Sequence, residues 1–225
     1  MIRNHWYAVL DTKEVPKKGL IGVKRFGEKL AFWRTDKGEI ACIIDKCCHR
    51  GASISAGKIV GDHAQCPFHG FEYDIEGKVK LIPANGKAAP VADRYRVISY
   101  PAKEKYGLVW VFWGEKVEDL PEVPFFEDLK NGFYYGQIRD HWPMHYTRCI
   151  ENQMDVVHVP FVHHNTIGRG KKTIVYGPKV KWENEQLTWY VKNLVDDGTI
   201  KAKPANKMGD EKDLFSLQII MTNIW

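Results

Sequence analysis

Four residues in two short clusters offer the ligands of a metal centre. They are Cys47 and His49 in Cys47-Cys48-His49 and, after sixteen intervening residues, Cys66 and His69 in Cys66-Pro67-Phe68-His69. Each cluster supplies one thiolate and one imidazole at loop spacing, a set that suits two kinds of centre. One is a structural zinc site, a tetrahedron closed by two Cys and two His. The other is a [2Fe–2S] cluster in which thiolates hold one iron and imidazoles the other, a ligation that raises the reduction potential above that of an all-cysteine cluster. The distribution favours the cluster, because zinc sites of this composition usually pair Cys with Cys and His with His, whereas here each loop contributes one of each. Pro67 stiffens the second loop. Gly51 and Gly70 are expected to let backbone approach an inorganic core and to donate N–H groups to its sulfurs. Cys48 reads as a spare thiol, because its adjacency to Cys47 strains joint binding to one cluster.

A second constellation lies further along. Glu151-Asn152-Gln153-Met154-Asp155-Val156-Val157-His158 sets Asp155 three residues before His158, on one face of a predicted helix, and His163 follows five residues later, beyond Pro160. Pro160 marks the predicted break. A helix ending near His158 and a turn carrying His163 can aim both imidazoles at one metal, supplying two ligands of a two-His-one-carboxylate iron site. Taken alone, two histidines near an aspartate are more often a hydrogen-bonded arrangement than a metal site. His164 is not counted as a ligand, since adjacent side chains diverge. His141 and His145 are unassigned, with Pro143 between them.

Asp45-Lys46-Cys47-Cys48-His49-Arg50-Gly51-Ala52 and Cys66-Pro67-Phe68-His69-Gly70-Phe71 closely resemble the cluster loops of the Rieske non-heme iron oxygenases. The D-x-x-H-x-x-x-x-H run from Asp155 to His163 is similar to their mononuclear iron motif, and it follows in the order the family uses. Cys48 departs from the pattern, standing where the family most often has proline. Further likeness is carried by Asn4-His5-Trp6-Tyr7, Phe32-Trp33-Arg34, Tyr106-Gly107-Leu108-Val109-Trp110 and Thr222-Asn223-Ile224-Trp225. The resemblance implies that Cys47 and Cys66 hold one iron, His49 and His69 the other, and that His158 and His163 hold a mononuclear Fe(II). Asp155 would link the mononuclear site to the cluster of a neighbouring subunit, in a head-to-tail homotrimer. Electrons would come from NAD(P)H through a flavin reductase and/or ferredoxin, and O2 would be used to hydroxylate or demethylate a small organic substrate, preferentially an aromatic one. Glu151-Asn152 and Phe161-Val162-His163 resemble the monooxygenase and O-demethylase branch more than the dihydroxylating branch. Positions 51 and 68, where respiratory Rieske subunits carry an extra disulfide, are Gly51 and Phe68 here. The third iron ligand in this family is a carboxylate from a later helix. Asp196, Asp197, Asp210, Glu211 and Asp213 match no family position, so that ligand is left unassigned, and the sequence reads as the first two-thirds of a longer product.

The elements that must position these residues read as mainly β with an α+β second domain. Turn signals at Gly27-Glu28, Asp36-Lys37-Gly38 and Glu76-Gly77 separate short strands, and Leu108 to Trp113 reads as a buried closing strand. This gives an all-β Rieske domain over 1–117. Acidic, proline-bearing Glu118-Asp119-Leu120-Pro121-Glu122-Val123-Pro124 opens a second region, 118–225. There Met144–His158 is the principal predicted helix, and strands are expected near Thr173–Lys181, Leu187–Val195 and Leu214–Trp225. By resemblance this region is part of a helix-grip (Bet v1/START-like) catalytic domain.

Composition bounds the rest. The 225 residues are 44% hydrophobic with a net charge of +5, dispersed rather than clustered, so no basic run or aromatic platform points to nucleic acid. No apolar stretch approaches membrane-span length, and Met1-Ile2-Arg3-Asn4-His5-Trp6 lacks a signal-peptide core. Five cysteines, two of them committed to a metal, argue for a reducing, cytoplasmic compartment. Two rival readings differ in class: an electron-transfer protein of the Rieske ferredoxin type with a degenerate second domain, and a non-enzymatic zinc-binding interaction domain.

Overall fold

Leu30, Ala31, Phe32 and Trp33 are consecutive and all at 0% exposure in strand β3 (Glu28–Arg34). Successive strand side chains point to opposite faces, so both faces of β3 are apolar and both must be covered. The computed structural model of the chain, which describes all residues but 116, 127, 128, 130, 131, 133, 135, 137, 205, 206, 208, 210–213 and 221–225, meets that demand with layers. The chain forms two units, Met1–Val123 and Pro124–Trp225. Among the residues named above, Asp210, Glu211, Asp213 and Thr222-Asn223-Ile224-Trp225 lie outside the described residues.

In the first unit β3 pairs antiparallel with β2 (Ile21–Arg25) and β4 (Ile40–Ile44). Leu30 and Phe32 pack against Tyr7 and Val9 of β1 (His5–Asp11) and Val109 and Val111 of β10 (Leu108–Trp113), which pairs with β9 (Ala102–Lys105). Ala31 and Trp33 pack instead against Ile54, Ala64, Tyr73, Cys47 and Cys66. This second layer is a four-stranded sheet of β5 (Lys58–Val60), β6 (His63–Gln65), β7 (Glu72–Tyr73) and β8 (Val79–Leu81) in that order. Trp33 satisfies its indole by donating from Nε1 to the Asp62 carbonyl at 2.9 Å, so the ring enters the core with no unpaired N–H.

The hairpin between β2 and β3 turns on Phe26-Gly27, one residue before the predicted Gly27-Glu28. Both central residues have positive φ (56° and 84°), the geometry of a two-residue turn whose twist matches that of the strands. Strands β5 and β6 have no counterpart in the sequence reading, because three-residue strands are too short to display a period.

The second unit is α+β. Strands β11 (Ile174–Glu183), β12 (Gln186–Leu194) and β13 (Phe215–Ile220) form an antiparallel sheet in chain order. Trp189, Val191 and Ile219 make its buried face, and Ile150 and Met154, four apart on helix α1 (Tyr146–Met154), pack on it with Val156. The helix stops at Met154, four residues before the predicted end near His158. Asp155 turns extended, with φ −84° and ψ 115°, and its Oδ1 accepts the Val157 N–H at 2.7 Å. A continuous helix would have set the Pro160 ring against the Val156 carbonyl. Instead Pro160 falls in the first turn of a new short helix α2 (Val159–Val162), where a missing N–H costs nothing.

Arg34, at the end of β3, donates to Glu104 of β9 and to the Thr12 carbonyl, tying two sheets together. The Arg34 guanidinium holds the Glu104 carboxyl below its ordinary value. A carboxyl depressed in the folded state contributes its stability above the ordinary carboxylate range and loses it as pH falls through the folded pKa. Glu104→Gln is therefore expected to cost about 1 kcal/mol at pH 7, with the difference from the parent vanishing in strong acid. Urea denaturation at several pH values measures it.

Candidate metal centres

The two cysteine–histidine loops close in the same way. In the first, the Cys47 N–H donates to the Ala52 carbonyl at 2.8 Å and the Gly51 N–H to the Cys47 carbonyl at 2.9 Å. In the second, the Cys66 N–H donates to the Phe71 carbonyl at 2.8 Å and the Gly70 N–H to the Cys66 carbonyl at 3.1 Å. Gly51 and Gly70 hold φ at +74° and +73°, a conformation that favours glycine. Their N–H groups are spent on loop closure and do not point to sulfur, which corrects the role expected for them. The backbone donors near sulfur are instead the N–H groups of Phe68 and His69, which lower the Cys66 pKa against the larger raising effect of burial.

The loops sort their ligands by type. Cys47 and Cys66 are buried at 4% and 1% exposure and their sulfurs interact with each other. His49 and His69 are exposed at the loop tips, with ring centroids 4.7 Å apart. Phe71 stacks on His49 at 5.1 Å, with the two rings inclined by only 5°. Two thiols on one side and two imidazoles on the other fit a binuclear cluster held by a sulfur pair and a nitrogen pair.

Two residues the sequence reading passed over hold this arrangement. Asp45, buried at 6%, accepts from Ser53 Oγ at 2.5 Å, Ser55 N–H at 2.7 Å and Ser55 Oγ at 2.6 Å, pinning the base of the first loop. Tyr73 donates from Oη to Cys47 Sγ at 3.1 Å. Burial first, and the sulfurs of Cys47 and Cys48 second, push its pKa far up, so the phenol stays a protonated donor. Strand alternation gives the signal that was available: Tyr73 lies two residues from Phe71, on the same inward face, and a buried phenol needs a partner.

In the second unit, Asp155 leaves the end of α1, His158 precedes α2 and His163 follows it. Asp155 Oδ2 lies 3.1 Å from His158 Nδ1, while Oδ1 is held by the Val157 N–H. The rings of His158 and His163 are 5.3 Å apart, and all three side chains line a cavity of about 650 Å³ with Val159, Val191 and Leu217. An Nδ1 facing a carboxylate leaves Nε2 free to turn to a metal. His164 turns away, with Nδ1 3.0 Å from the Phe161 carbonyl, and His145 is occupied with Thr147 at the start of α1. Asp196 and Asp197 accept hydrogen bonds from the turn at Gly198 and Thr199 and do not line the cavity. Among the described residues Asp155 is the one carboxylate on the cavity wall.

Residues 5–101 match the Rieske [2Fe-2S] domain, and residues 142–213 match the vanillate O-demethylase oxygenase C-terminal domain. A Rieske domain followed by that oxygenase domain defines a class, and the chain belongs to the Rieske oxygenases. It is 34% identical over 172 residues to chlorophyllide a oxygenase of Chlamydomonas reinhardtii, covering 75% of this chain and 26% of that protein. It is 30% identical over 173 residues to methylxanthine N1-demethylase NdmA of Pseudomonas putida, covering 74% and 48%. The solved structure of Pseudomonas putida CBB5 NdmA with caffeine aligns with a TM-score of 0.69 at 26% identity over 98% of this chain and 63% of that one. Dicamba monooxygenase bound to dicamba aligns at 0.67 and 27% over 85% and 57%. The chain thus spans from about a quarter to under two-thirds of the length of these relatives.

Purified protein is expected to contain two irons and two acid-labile sulfides per chain, with a reduced-state EPR signal of mixed nitrogen and sulfur ligation. Cys66→Ala and His69→Ala should lose the cluster and destabilise the unit, because metal binding is coupled to folding. Cys48→Ala should keep the iron, the sulfide and the spectrum. Stoichiometric zinc without sulfide would replace the cluster with a structural site.

Proposed function

We propose that this chain is the electron-accepting and oxygen-using component of a Rieske oxygenase that hydroxylates or demethylates a small organic, preferentially aromatic, substrate. The observation that carries the reading is the placement of Asp155: one carboxylate oxygen fixed by backbone, the other 3.1 Å from His158, beside His163 on the wall of a cavity. In this reading Cys47, His49, Cys66 and His69 hold a [2Fe–2S] cluster, and His158 and His163 hold Fe(II), with a further carboxylate to complete the set. When bound, the cluster passes single electrons and the Fe(II) activates O2.

The chain's own residues do the rest. Asp155 fixes the ring orientation of His158 and keeps its proton on Nδ1, so that Nε2 stays a lone-pair donor. Val159, Val191 and Leu217 give the cavity an apolar stretch beside the two imidazoles, which suits the flat body of an aromatic substrate, while Arg169, Lys172 and Lys192 add positive charge to the same wall. Electrons arrive from NAD(P)H through a ferredoxin and/or a flavin reductase. Asp155, 44% exposed, is available to accept a hydrogen bond from a cluster histidine of a neighbouring subunit in a head-to-tail homotrimer. Among the described residues no helix is long and apolar enough to cross a membrane. We place the protein in a reducing, cytoplasmic setting on its five free cysteines.

Asp155→Asn is expected to retain both metal centres and lose about 10- to 100-fold in turnover, measured as incorporation of labelled O2 into product. His158→Ala and His163→Ala should lose mononuclear iron while keeping the cluster spectrum. Mixed oligomers of Cys66→Ala and His158→Ala subunits should regain activity, each supplying the centre the other lacks. Mixed oligomers as inactive as either parent would end the inter-subunit route. A chain that keeps a reducible cluster but takes up no iron at His158 and His163 would instead be an electron-transfer protein.

A further inference from the structure

Tyr73 is fully buried, and its hydroxyl meets three groups of the first loop. Oη donates to Cys47 Sγ at 3.1 Å, accepts the Cys48 N–H at 3.1 Å and lies 3.3 Å from Cys48 Sγ. A phenol has one proton and two lone pairs. With Cys47 a metal-bound thiolate, the phenol proton goes to that charged acceptor, because a charge-assisted hydrogen bond outcompetes one to a neutral thiol. The Cys48 backbone N–H fills one lone pair of Oη. The other faces Cys48 Sγ, whose neutral thiol is a donor.

We propose that Cys48, although not a ligand, is a positioning residue that raises the reduction potential of the cluster by donating its S–H to Tyr73 Oη; this rests on the reading of Cys47 as a cluster ligand. Hydrogen bonds to ligand sulfur favour the more negative, reduced cluster and so raise its potential. A donor behind a donor strengthens it, since chains of hydrogen bonds polarise one another. The relay runs Cys48 S–H to Tyr73 Oη, then Tyr73 O–H to Cys47 Sγ. A proline at position 48, the residue the resembled family most often has there, would supply neither the S–H nor the N–H. Cys48 is exposed, so its thiol fills no core space.

Redox titration of the purified, cluster-loaded full chain tests the relay, with iron and sulfide content measured on each variant. Tyr73→Phe is expected to lower the reduction equilibrium constant about tenfold, about 59 mV for a one-electron couple. Cys48→Ala should lower the potential by a smaller shift at unchanged iron and sulfide, and Cys48→Ser, which restores a donor, should return it to the parent value or above. Because Cys48 acts through Tyr73, Cys48→Ala added to Tyr73→Phe should produce no further shift. A Cys48→Ala potential equal to or above the parent, or an additive drop in the double variant, overturns the proposal. Should Tyr73→Phe fail to fold, the Ala-against-Ser comparison at position 48 decides alone. Loss of iron and sulfide in Cys48→Ala would mark a failure of the ligand assignment instead, which the metal content separates from a shift in potential.

Discussion

Two thiols sunk into an apolar core impose the constraint from which the first unit follows. Cys47 and Cys66 lie in one cluster of buried side chains with Trp33, Ile43, Ile54 and Tyr73. An unpaired thiolate there would be costly, so a centre that needs both sulfurs ionised must be part of the core. The layers around it serve that end. Strand β3 carries large apolar side chains on both faces, one face closing the β1–β10 side and the other forming the floor beneath the loops. Asp45 then fixes the first loop to its own return through two serines, and paired backbone bonds fix the second. The charged groups in this region are matched by donors, while the thiols keep one phenol and two loop amides beside them.

The second unit solves a different problem, since its histidines stand at a cavity rather than in a core. Here the break between α1 and α2 does the positioning. By ending α1 at Met154, the chain releases Asp155 to hold Val157 with one oxygen and face His158 with the other. The backbone bond on one oxygen and the imidazole facing the other give the carboxylate one orientation while its exposed side stays open. The packing of Ile150 and Met154 on Trp189 and Val191 anchors the helix from which that turn departs.

Much of this was legible in the sequence. The loops announce themselves through residue type and spacing, and Leu108 to Trp113 reads as a strand from its continuous apolar run, which the structure places in β10. What escaped was set by geometry that a linear pattern does not carry. The helix end was misplaced because helical periodicity over Asp155 and His158 is satisfied in either conformation, whereas Pro160 and the Asp155 side chain choose the shorter helix. Gly51 and Gly70 looked like sulfur donors because proximity to a cluster loop does not reveal which way an N–H points. Tyr73 serves a loop 26 residues away, a relation that only the stacked sheets create, and Asp45 turns inward to Ser53 and Ser55 of its own loop, a direction that spacing alone does not give.

The uneven burial of the two ligand pairs has one more outcome. On the proposed reading, the iron on the sulfur side is insulated by protein, while the iron on the imidazole side is reached through two exposed rings, flanked by Phe68 at 60% exposure and backed by Phe71. Electron tunnelling decays steeply with distance, so on this reading the imidazole face is the side through which electrons move. With Asp155 of a neighbouring subunit held against one cluster histidine, a donor would have to dock on the edge of that face left uncovered, and the size of that edge would decide how large a donor the assembled protein can accept.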